Sequence, residues 1–169
     1  MYMNSTLCAL SLASGLATAG LAEQLPAPSG EVLLTLSGAL ANETADGVVS
    51  LDREMLENME TVEFTTSTIW MEDEVTFTGV PLSDVLDYAG AQGDEISAVA
   101  LNDYKIEIPV SEIEESSPII AYLMNGEPMS RRNKGPLWIV YDYDSDAKYR
   151  SEVIYSRSIW QLDRIVSNN

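Results

Sequence analysis

Strand-length apolar runs broken by turn pairs constrain this chain most. They leave room for only one convincing amphipathic helix. Thr61 to Trp70 is rich in Thr, Val, Ile and Phe and reads as a strand, paired across Met71 to Glu74 with Val75 to Thr78 as a hairpin. Glu31 to Ser37, Ile96 to Leu101, Tyr104 to Val110, Ile119 to Met124, Leu137 to Tyr141 and Ile159 to Val166 read as further strands. The helix opens at Pro81 or Ser83, carries Leu82, Val85, Leu86 and Ala89 on one face, and stops at Gly90. Ser50 is placed to cap a short helix reaching about Met59, and Ser111 to Ser116 reads as one helical turn. Asp146 to Arg157 fits either class. Mixed strands with a few short helices define an α+β fold.

Charge is distributed unevenly along this framework. Residues 23 to 99 carry sixteen acids and one base, a net of −15, whereas residues 100 to 169 carry eleven acids and eight bases, a net of −3. Against that background Arg131, Arg132 and Lys134 fall within four residues, after an Asn125-Gly126 turn and just before Gly135-Pro136 and the apolar run Leu137 to Val140. One reading is local salt bridging, which contributes little. The other is a cationic loop that meets an anionic or hydrogen-bond-rich planar ligand, because arginine supplies a rigid fork of donors.

Other classes fall away on composition. A net charge of −18 lacks the basic footprint that nucleic acid or anionic lipid requires. With no histidine there is no imidazole base, no Ser-His-Asp arrangement and no His-based metal site. Asp142, Asp144 and Asp146 have the opening spacing of a calcium loop. Ala147 stands where that loop needs glycine, however, and Val153 where it needs glutamate.

Leu7 to Ala22 is uncharged, apolar and rich in small residues. It reads as an export signal over residues 1–22, cleaved after Ala22, although no Lys or Arg precedes it. A retained anchor is the alternative. Residues 23–30 read as a Pro-rich linker, and residues 31–169 as one domain, long enough to form a core without staples. The expected location is periplasmic, with no membrane insertion after cleavage. Cys8 is the only cysteine and lies in the signal, so the mature chain has no thiol.

The ordered motifs resemble a known family. These are Phe77 to Leu82 followed by a helix, Asn102-Asp103-Tyr104 leading to Ile108-Pro109, Ala121 through Asn125-Gly126 to Met129, Gly135-Pro136-Leu137, and Trp160-Gln161-Leu162 to Ile165. Together they resemble the molybdopterin-binding domain of the sulfite oxidase-like oxidoreductases, and more closely its short exported branch. The resemblance covers roughly residues 31 to 166. It implies the sulfite oxidase-type molybdopterin-binding fold, with mixed β-sheets, a few short helices and a pterin-type pocket.

Catalytic members ligate molybdenum through a cysteine thiolate, which no residue of the mature chain supplies. The resemblance therefore implies a pocket for the organic part of the cofactor without molybdenum, no catalytic residue and no metal ligand. Members of the short branch resemble pterin-binding proteins that report a reduced pterin to a membrane-anchored signalling protein controlling cyclic di-GMP.

A pterin needs an aromatic plane, an amide or carboxylate for its edge, and donors for its oxygen or tail. Trp70, Asn102, Asp103, Tyr104, Arg131, Arg132 and Lys134 supply them. Each has a structural alternative. Trp70 also fits a core or rim aromatic, Asn102-Asp103 a plain turn, and Tyr104 the buried face it would share with Ile106 and Ile108. Trp138 and Trp160 are expected in the core. Three functions stand: a periplasmic pterin-binding sensor or adaptor, a molybdopterin-dependent oxidoreductase subunit, and a ligand-free interaction domain.

Overall fold

A computed structural model describes residues 25–42 and 46–169. The expected signal and Cys8 lie outside the described residues. No helix among them is long and apolar enough to cross a membrane.

Two five-stranded sheets form the framework. The first is built from β1 (Val32–Gly38), β2 (Val49–Asp52), β5 (Glu95–Ala100), β6 (Lys105–Pro109) and β10 (Leu162–Asn168), in the order β2-β1-β10-β5-β6. The second contains β3 (Val62–Thr66), β4 (Val75–Pro81), β7 (Ile119–Met124) and the two-residue β8 (Glu127–Pro128) in that order, with β9 (Trp138–Val140) also paired to β7. β10 runs parallel to β1 and antiparallel to β5. Alternation along β1 buries Leu34 and Leu36, while β5, β6 and β10 add Ile96, Ala98, Ile108 and Ile165 to the same core. From the second sheet come Phe77, Ile119, Ile120 and Trp138, all without solvent exposure.

α2 (Leu82–Ala89) buries the expected Leu82, Val85, Leu86 and Ala89. It ends at Gly90 in the left-handed region, at a φ of 65° that glycine adopts without cost.

Several boundaries differ from the sequence reading. Ser50 does not cap a helix, because Val49 and Leu51 are buried in β2 and hold it in the strand. The cap of α1 (Arg53–Glu57) is Asp52, whose Oδ1 accepts the Met55 N–H at 2.9 Å. β3 stops at Thr66, not Trp70. There the Ser67 N–H and hydroxyl both donate to the Asp144 carboxylate, and the Trp70 and Met71 N–H groups turn back onto Thr68 Oγ1. The helical turn expected over residues 111–116 is a 3-10 turn at Val110–Glu112. The ambiguous stretch before β10 holds a 3-10 turn at Ala147–Tyr149 and α3 (Glu152–Arg157), the latter capped by Ser151.

The described part of the expected linker is docked on the domain. Leu25 packs on the core, and the Ser29 and Gly30 N–H groups both donate to Asp52 Oδ2 at 2.7 Å. Asp52 is 2% exposed. The backbone hydrogen bonds from Met55 and Gly30 hold its carboxyl below the ordinary 3.8. A depressed carboxylate stabilises the fold above its unfolded pKa, and that contribution disappears as pH falls through the folded value. Asp52→Asn is therefore expected to lower the melting temperature by several degrees at pH 7, with the gap to wild type closing below about pH 4. Thermal melts across pH 2 to 7 check this, and a gap independent of pH would remove the carboxylate from the account.

Candidate functional site

An aromatic cluster sits where β9, the 67–74 connection and the segment from α3 to β10 meet. Trp70 is its hub. Its ring centroid lies 5.5 Å from Trp138, 5.8 Å from Trp160, 5.9 Å from Tyr155 and 6.1 Å from Tyr143, each pair edge to face. Trp138 forms the floor, as expected of a core residue. Its Nε1 donates to the Ser158 carbonyl at 3.0 Å, and Phe77 packs against it at 5.2 Å. Trp160 is not a core residue. It forms only an isolated bridge with Trp138, since β10 begins at Leu162, and it remains 39% exposed.

Beside this cluster opens a cavity of about 400 Å³. Trp70, Tyr104, Tyr155 and Trp160 give it aromatic walls, while Asn102 and Gln161 add amides. Sequence reasoning missed Tyr155, Trp160 and Gln161 as wall residues.

The predicted site residues divide in two. Trp70, Asn102 and Tyr104 line the cavity. Tyr104 does not join the buried face of β6: it precedes the strand and is 53% exposed. Asn102 both turns the chain, its Oδ1 accepting the Tyr104 N–H at 3.1 Å, and contributes to the wall. Asp103 is outside the wall, exposed and paired with Arg164.

Arg131, Arg132 and Lys134, expected in the site, do not line the cavity; their loop is bound to two of its wall residues, Trp160 and Gln161. Gln161 donates its backbone N–H to the Lys134 carbonyl at 3.0 Å and its side-chain amide to the Arg131 carbonyl. Ser130 O accepts from the Asn133 and Gly135 N–H groups, which closes the loop tightly. At Gly135 a Cβ would collide with the Met129 carbonyl oxygen, so only glycine fits there.

Seven of the nine cations form salt bridges, among them Arg131, which reaches Glu31 at 2.7 Å. Among the described residues Arg132 and Lys134 alone have no carboxylate partner, in a chain with three acids for every base. Lys134 Nζ instead lies 4.0 Å from the Trp160 ring centre, 5.1 Å from Trp138 and 6.0 Å from Trp70. Burial lowers its pKa. Desolvation pushes the buried Tyr141 phenol up to about 12 and raises Tyr143 further, so neither ionises near neutrality.

The site therefore combines flat apolar walls, amide groups and a flanking positive charge. These are the elements of a stacking pocket for a planar heterocycle. They do not fit a molybdenum centre. No cysteine stands among the described residues to supply the thiolate that ligates molybdenum.

The two-sheet fold is that of the sulfite oxidase-type molybdopterin-binding domains. The sulfane dehydrogenase SoxCD from Paracoccus pantotrophus shares the fold at a TM-score of 0.59 and 17% identity, the match covering 80% of this chain. This chain spans 37% of that one. No curated protein matches it in sequence. Residues 48–142 match the oxidoreductase molybdopterin binding domain, more than half of the chain, and the protein belongs to that family.

Proposed function

We propose that this chain is a periplasmic, non-catalytic pterin-binding protein, a sensor or adaptor for a membrane-anchored signalling partner such as a cyclic di-GMP enzyme. The observation that carries the reading is the aromatic cavity itself: a wall of Trp70, Tyr155 and Trp160 with amides at its edge, in a family domain with no cysteine to ligate molybdenum. A reduced pterin stacks on such walls and hydrogen-bonds through its edge, while Lys134, 4.0 Å from the Trp160 ring centre, adds positive charge beside the stacking plane. Ile69, Tyr104 and Trp160 stand exposed at the cavity, so an occupant changes the surface a partner meets.

The test is analysis of small molecules and metals released from protein expressed with its N-terminal segment and purified from the periplasm. A reduced pterin in near-stoichiometric amount without molybdenum is expected. Stoichiometric molybdenum would overturn the cysteine argument in favour of an oxidoreductase subunit. If no pterin is recovered and none binds on anaerobic addition, an interaction domain without ligand is left.

A further inference from the structure

Aromatic walls give affinity for any flat ring, whereas selection among rings falls to the polar groups on the wall. Most of those groups are already committed. Asn102 Oδ1 accepts from Tyr104, which leaves its amide nitrogen as a donor. Ser156 donates to the Val153 carbonyl at 2.6 Å. Ser158 accepts from Tyr143 at 2.7 Å and donates to the Ile154 carbonyl at 2.9 Å.

Gln161 differs. Its backbone N–H, backbone carbonyl and side-chain nitrogen bind Lys134, Leu101 and Arg131 in turn. Its Oε1 accepts nothing from the described residues, so the wall holds one fixed amide with a vacant acceptor.

The backbone supports the same position. Among the described residues four other than glycine have positive φ, and three of them belong to this neighbourhood: Asp103 at 65°, Lys134 at 64° and Gln161 at 54°. Left-handed backbone at Gln161 is held by its bonds to the two flanking loops, and retained strain of this kind is a mark of a site.

We propose that Gln161 is the residue that discriminates between pteridines at position 2 of the ring, its Oε1 accepting from a 2-amino group. Resting on the pterin reading above, the assignment pairs the ring's amino edge with Gln161 Oε1 and its oxo group with the Asn102 amide. A ring with a carbonyl at position 2 brings an acceptor against an acceptor, and the site rejects it.

Anaerobic titration of the full chain with 6-methyltetrahydropterin and 6-methyltetrahydrolumazine, which differ by the amino or oxo group at position 2 and the proton that N1 carries with the oxo group, tests this. Wild type is expected to prefer the pterin by about tenfold or more. Gln161→Met should bind both within about twofold, the stacking contribution being common to the two. Gln161→Glu keeps an acceptor and should keep the preference, although like the Met variant it loses the donor to Arg131. Loss of preference in both variants would make Gln161 a brace for the basic loop and overturn the assignment. A wild type without preference, or a Met variant that retains it, would overturn the assignment and leave pterin binding standing. Binding of neither ring by wild type would overturn both.

Discussion

Replacing Trp138 with alanine is expected to cost the fold about 3–5 kcal/mol, the usual range for emptying a fully buried tryptophan site. The side chain has no solvent exposure, touches Phe77, Trp70 and Trp160, and satisfies the Ser158 carbonyl through its ring nitrogen. Alanine leaves a void and a carbonyl without its donor. The surrounding residues come from β4, from the 67–74 connection, from the basic loop and from the segment before β10, so no single element can move in to fill the space. Trp138→Phe should recover part of the loss, because it refills most of the volume without restoring the hydrogen bond. Urea unfolding of the three proteins checks the order, and an alanine variant within about 1 kcal/mol of wild type would show that the floor is not held by this ring.

Trp160→Ala should give the opposite balance: affinity for a reduced pterin falls by at least about tenfold, while stability changes by about 1 kcal/mol or less. The ring is 39% exposed and lines the cavity, so its removal takes away a stacking plane and little of the core. Lys134 loses its nearest aromatic contact as well, which weakens the placement of the flanking charge. Anaerobic fluorescence titration together with a thermal melt separates the two effects. Unchanged affinity would exclude the Trp160 face as the binding plane.

The different roles of these two indoles explain what could be read in advance. Trp138 lies in an uninterrupted apolar run, and such a run on a short strand means burial on both faces. The face of α2 and its glycine stop were legible for the same reason, since periodicity and backbone chemistry are local. Trp160 also sits among apolar neighbours, but its exposure depends on where β10 starts. That boundary is set by Gln161 turning left-handed between two distant loops. Ser67 and Asp144, 77 residues apart, end β3 through hydrogen bonds that no local pattern reveals. The basic loop was visible as a charge anomaly. Its attachment to the aromatic wall was not, because Gln161 fixes it from 30 residues away.

The placement of β10 between β1 and β5 bears on how this domain comes into being. A strand far from β1 in sequence completes the middle of the first sheet, with Thr35 opposite Arg164. Closing a loop of that length is entropically expensive and is repaid only when the strand docks, so assembly of this sheet is governed by long-range encounter and not by local zipping. Until β10 arrives, β1 and β5 each present an open edge able to pair with another chain. The nascent protein therefore passes through an interval in which its aggregation risk depends on how soon β10 becomes available.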